Sequence, residues 1–199
     1  MINYLSQSIA YFFIKKNIIP REEIDSYIYG FQIILISSIN WGIILLIMLA
    51  TGKIPETLLY MTSVILLRHH TGGYHASTHV KCSLLSISAY VLVLMAIYFF
   101  NFSVARTVSI TLILVSLAVI FKYAPMMHEN NPVKEYSLYK HKQYSRILLL
   151  IIVALLTILL LIRKDSLALS LSLGTFQVCI FLWLEKMKNK RRCHSYEVK

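Results

Sequence analysis

The fifteen residues 68-RHHTGGYHASTHVKC-82 hold four histidines, an arginine, a lysine and a cysteine between two apolar runs. The group there best suited to nucleophilic attack is the thiol. Cys82 opens an apolar run and follows Ser77, Thr78 and Lys81, and either hydroxyl residue suits the cap of a helix starting nearby. In the first turn of a helix, beside a lysine, a thiol feels the positive end of the helix dipole, which favours the thiolate. The plain alternative is a structural cysteine, common in apolar settings.

A thiol nucleophile needs a base within hydrogen-bond reach. His79 precedes Cys82 by three residues, so a helix through both puts them on one face. His75 precedes it by seven, and a continuous helix would hold the pair about 10 Å apart along the axis. For His75 to serve, the chain must fold back ahead of the helix. Gly72-Gly73 suits such a bend because glycine takes positive φ at little cost. The spacing therefore predicts a loop and a helix start between Gly72 and Cys82, and on geometry alone His79 is the nearer base.

The other ionisable groups have plainer readings beside functional ones. His69 and His70 suit a membrane interface, where a polar tip needs no catalytic reason. Arg68 either reaches the headgroups or holds a substrate carboxylate or carbonyl. Together His69, His70, His75, His79 and Cys82 could offer four metal ligands. However, the sequence has no HExxH and no second cluster at ligand spacing, so neither a metal nor a cofactor is expected.

The elements that must position these groups follow from composition. Of 199 residues, 57% are hydrophobic, and the formal net charge is +11. That apolar share points to a membrane protein. Its basic residues cluster in short segments between apolar runs, as loops near anionic lipid do, and this argues against a nucleic-acid partner. Three cysteines without framework spacing do not suggest a disulfide scaffold. The amino-terminal segment puts its positive charges after its apolar part, so it reads as mature protein rather than a secretory signal.

Residues 3–19 carry Leu5, Ile9, Phe12 and Phe13 at helical spacing, which predicts an amphipathic interfacial helix ended by Pro20. Residues 27–50 form the first span, and 54–67 a short second one. Four further apolar runs cover 82–100, 104–121, 147–162 and 167–184. The expected fold is all-α: a polytopic bundle of about six transmembrane helices plus the amino-terminal helix. It forms one domain, with 1–26 interfacial, 27–184 in the bundle and 185–199 a basic tail. If both termini are cytoplasmic, sixteen basic residues lie inside and four (Lys53, Arg106, Arg163 and Lys164) outside. That division satisfies the positive-inside rule and places 68–82 on the cytoplasmic side.

Arg68, Gly72-Gly73, His75-Ala76 and Cys82, together with 124-APMMHENNP-132, resemble the accessory gene regulator protein B family, membrane cysteine endopeptidases of Gram-positive quorum sensing. Length, hydropathy and order of features match over nearly the whole chain. The resemblance implies cleavage of a small propeptide near its carboxyl-terminal side and closure of the retained part into a thiolactone or lactone. It also implies Cys82 as nucleophile and His75 as base, with Arg68 and Gly73 at positions on which activity depends and Gly72 beside them. His79 does not sit at the family's histidine position. Expected partners are the propeptide and the bilayer, with a homodimer suited to small-residue helix faces. A small transporter or channel with a histidine proton relay is the chief rival. Against it, the polar cluster lies at a span end and the span interiors are almost free of charge.

Overall fold

The structure is a computed structural model. It describes residues 2–73, 79–126 and 135–197, with side chains omitted at 79–80, 135–137 and 188–197. Seven α-helices cover the described chain: α1 Ile2–Lys15, α2 Ile24–Thr51, α3 Ile54–Thr71, α4 His79–Phe99, α5 Phe102–Tyr123, α6 Glu135–Leu161 and α7 Asp165–Glu197. A single 3-10 turn, Arg21–Glu23, precedes α2, and no strand occurs among the described residues. The protein is an all-α polytopic membrane protein.

Five helical stretches are long and apolar enough to cross a bilayer: Arg21–Thr51, Lys81–Phe99, Phe102–Tyr123, Leu138–Leu161 and Asp165–Met187. The sixth expected span, α3, falls outside that set because Glu56, Arg68, His69 and His70 dilute it. Burial explains how α3 carries them. Glu56, Thr57, Tyr60, Ser63, Val64, Leu67 and Thr71 recur every three or four residues and form its buried face. Polar groups on that face find partners on α7. The Tyr60 hydroxyl donates to Gln177 Oε1, and the Ser170 hydroxyl to the Glu56 carbonyl. Gly174 permits this close approach, since a Cβ there would fall on Ser63 Oγ and within 3.0 Å of the Tyr60 carbonyl oxygen.

Several element ends differ from expectation. α1 stops at Lys15, ahead of Pro20, because Asn17 takes a left-handed φ of 53° and the Ile18 N–H closes onto the Phe13 carbonyl at 3.0 Å. α6 begins at Glu135 rather than 147, and α7 runs to Glu197 rather than 184. An apolar run measures hydrocarbon thickness, whereas helix-forming polar residues such as Lys, Gln and Glu extend a helix beyond it. Lys140, His141 and Lys142 accordingly lie on a helix and not in a loop.

Two compact units emerge, each described by itself. The first comprises residues 1–52 and 76–90, with α1 against α2 through Phe13 stacked on Phe31 at 5.6 Å. The second comprises residues 53–75 and 91–199. Its core joins Leu67 of α3, Ile113 and Ile120 of α5, Leu149 and Leu156 of α6, and Val178 and Leu182 of α7. Leucines such as Leu46, Leu92, Leu114 and Leu161 remain exposed, as lipid-facing positions of membrane helices do.

Candidate functional site

Within the second unit, polar groups gather at the end where α3 and α5 finish and α6 begins. Arg68 occupies the last turn of α3, half-buried, with its guanidinium 4.7 Å from the centroid of the Phe181 ring on α7. A cation over a ring face is held by the ring quadrupole, which fixes the direction of the charge. Gly72 then ends α3. Its φ of 69° and ψ of −150° belong to a region essentially reserved for glycine, and its N–H donates to the Arg68 carbonyl at 3.1 Å. A Cβ on Gly72 would fall on the Met126 carbonyl oxygen. The backbones meet closely there, and the Met126 N–H donates to the Thr71 carbonyl at 2.9 Å. Gly73 continues the bend at φ 135°, and a Cβ there would lie 3.4 Å from Phe181 Cβ. Arg68, Gly72 and Gly73 are thus brought together around Phe181 and Met126.

Cys82 belongs to the first unit, in the first turn of α4, half-buried as a free thiol, and its carbonyl accepts from the Ser86 hydroxyl at 3.0 Å. That is the helix-start position the sequence anticipates. The helix does begin between Gly72 and Cys82, at His79. His79 therefore lies on α4 three residues before the thiol, with its side chain outside the described set. His75, Ser77, Thr78 and the part of the second patch from residue 127 to 132 also lie outside the described residues.

One group at this end was not singled out from the sequence. His141 of α6 meets His70 of α3, Nδ1 to Nδ1, at 3.2 Å. The His69 ring packs edge-on against His70 at 4.8 Å, and the Tyr144 ring lies 5.3 Å from His70. An N–H···N bond between two imidazoles needs one protonated and one bare nitrogen. Interfacial placement explains His69, which is exposed, but not this pairing. The only signal in sequence was a histidine amid Lys140, Lys142 and Tyr144, and nothing local says that it faces α3. A second such group is Glu185, one turn past Phe181 on α7. It is 2% exposed, and its buried Oε2 has no hydrogen-bond partner among the described residues. An isolated acid just after an apolar run was its signal. No cluster of three or more His, Cys, Asp or Glu side chains suited to a metal occurs among the described residues.

The histidine pair has a consequence for pH. His70 lies past the apolar part of α3, and burial above all, then His69 and His141, lowers its pKa below the ordinary 6.5. A histidine with a lowered folded pKa contributes stability that is present above about pH 6.5 and lost as pH falls through the folded value. Arg68 and His69 on α3, with Lys140, Lys142 and Tyr144 on α6, supply no negative charge to offset a second proton. Thermal unfolding in detergent should therefore show a falling midpoint between pH 7.5 and 5, and His70→Gln should flatten that limb. An unchanged limb in His70→Gln would remove the buried imidazole as its cause.

A bundle of long apolar helices, with polar groups gathered in its second unit where α3 finishes and α6 begins, defines a class: a multi-pass membrane protein. The comparisons make this specific. The family model for accessory gene regulator B matches residues 6–182, and the chain belongs to that family, part of a quorum-sensing system. A protein of Clostridium beijerinckii described as AgrB-like is 30% identical over 138 residues, 67% of each chain. AgrB-like proteins of Listeria welshimeri and Listeria innocua are 38% and 36% identical over 64 residues, 32% of this chain and 31% of theirs. No solved structure matches the chain.

Proposed function

We propose that this protein is a membrane cysteine endopeptidase that cleaves an autoinducing propeptide near its carboxyl-terminal side and promotes closure of the retained part into a thiolactone or lactone. The observation that carries the reading is Cys82, half-buried in the first turn of α4, in a chain whose match to the accessory gene regulator B family runs from residue 6 to 182. His75 takes the thiol proton and Cys82 Sγ attacks the scissile carbonyl. The C–N bond breaks, the leaving amine takes the proton from His75, and a thioester remains on Cys82. A thiol or hydroxyl within the retained peptide then attacks that thioester. Its own proton passes to the Cys82 thiolate, so the ring leaves and the enzyme is restored. Closure outruns hydrolysis only where the peptide nucleophile is held close and water is kept out, which suits a site at a membrane boundary.

Arg68 directs its charge toward a carbonyl or carboxylate of the peptide, and Gly72 and Gly73 shape the approach. The sixteen-to-four distribution of basic residues favours a cytoplasmic site and cytoplasmic termini, with the protein in the cell membrane. The test is a trapped intermediate. Brief reaction of the purified protein with a propeptide that lacks its ring-closing nucleophile should leave an adduct on Cys82, seen by mass and removed by hydroxylamine. Cleavage that proceeds undiminished in Cys82→Ala, with no adduct on wild type, would overturn the proposal.

A further inference from the structure

The opposite end of the second unit has its own polar site. A cavity of about 270 Å³ is walled by Phe100, Phe102 and Leu169 and carries Arg163, Lys164 and Asp165. Its depth in the bilayer follows from the helices. α4 ends at Phe99, α5 begins at Phe102, α6 ends at Leu161 and α7 begins at Asp165, so all four leave the apolar layer around it. Headgroups lie at that level.

Charge and hydrogen bonding indicate what fits. Asp165 is 3% exposed, and its Oδ1 accepts from Arg106 Nε at 2.9 Å. Its Oδ2 is buried with no hydrogen-bond partner among the described residues, an open acceptor beside the cavity. Lys53 and Glu56, 3.9 Å apart, offset one another. Arg106, Arg163 and Lys164 then stand against the one carboxylate of Asp165, a surplus of two positive charges, and Arg163 and Lys164 are exposed to a ligand. Aromatic and aliphatic walls beside a basic rim match a phosphodiester with the first methylenes of its acyl chains.

We propose that this cavity binds the headgroup of an anionic phospholipid with a hydroxyl-bearing headgroup. Arg163 and Lys164 hold the phosphate, a headgroup hydroxyl donates to Asp165, and the acyl chains leave along the exposed rings of Phe100 and Phe102. The site stands apart from the peptide-processing reading and does not depend on it.

The test is native mass spectrometry of the full chain released from nanodiscs of phosphatidylglycerol, phosphatidic acid or phosphatidylcholine, with wild type compared with Arg163→Asn/Lys164→Gln. Asparagine is chosen because Arg163 sits at φ 57°, which Asn tolerates. The expected result is a retained phosphatidylglycerol adduct at least tenfold more abundant than the phosphatidylcholine adduct, and lost in the double variant while its helical circular dichroism is unchanged. Equal retention of phosphatidylglycerol and phosphatidylcholine, or an adduct that persists in the double variant, would overturn the site. Retention of phosphatidic acid equal to phosphatidylglycerol would overturn the role of the hydroxyl and Asp165. In a separate arm, wild type in detergent is titrated with inorganic phosphate, and stabilisation that matches phosphatidylglycerol would overturn a lipid as its occupant.

Discussion

His75→Ala should lower propeptide cleavage by about 100- to 10,000-fold, the span usual for loss of a general base, while His79→Ala lowers it less than about tenfold. Co-expression with the propeptide and mass analysis of the products reads both directly. Two physical arguments compete over these histidines. Helical spacing favours His79, three residues before Cys82 on a helix that does begin at His79. The family pattern favours His75, ahead of that helix. The bend that His75 needs has a described beginning: α3 stops at Thr71, and Gly72 and Gly73 both take positive φ. Two glycines at such angles end α3, and His75 itself lies outside the described residues. Loss of cleavage with His79→Ala and not with His75→Ala would assign the base to His79.

The fold was legible wherever a segment meets lipid. Spans at 27–50, 82–100 and 104–121 correspond to α2, α4 and α5 within a few residues, because exposure to hydrocarbon demands an unbroken apolar surface. Legibility fell where protein buries protein. α3 hides Glu56, Thr57 and Ser63 against α7, so its apolar run looks short although the helix is complete at eighteen residues. The polar start of α6 was equally hidden, since Lys140 and Lys142 read as a basic loop when hydropathy alone is followed. The bend after α3 could be read from the glycine pair, whose residue type suits positive φ. The His70–His141 pair could not, because it joins residues 71 positions apart and depends on the register of α6 against α3.

The same contrast shapes the largest expected effect on stability, at Arg106. In the sequence Arg106 is one of four basic residues assigned to the outer side, near the start of the apolar run 104–121. In the structure its Nε donates to Asp165 at 2.9 Å, its Nη2 donates to the Leu160 carbonyl at 2.7 Å, and its guanidinium lies 5.0 Å from the Phe102 centroid. It ties the start of α5 to the end of α6 and the start of α7. Arg106→Met would strand a buried carboxylate, and breaking a buried pair from one side costs about 3–5 kcal/mol. Because the Arg106 side chain is 37% exposed, water can partly compensate, and about 3 kcal/mol is expected. Removing the stranded charge as well, in Arg106→Met/Asp165→Leu, should restore most of that loss, since a buried ion pair and an apolar pair of similar volume are often close in stability. Reversible unfolding by SDS titration measures all three proteins. A double variant as unstable as Arg106→Met would show that the guanidinium acts chiefly through Leu160 and Phe102, and the stranded Asp165 charge would no longer account for the effect.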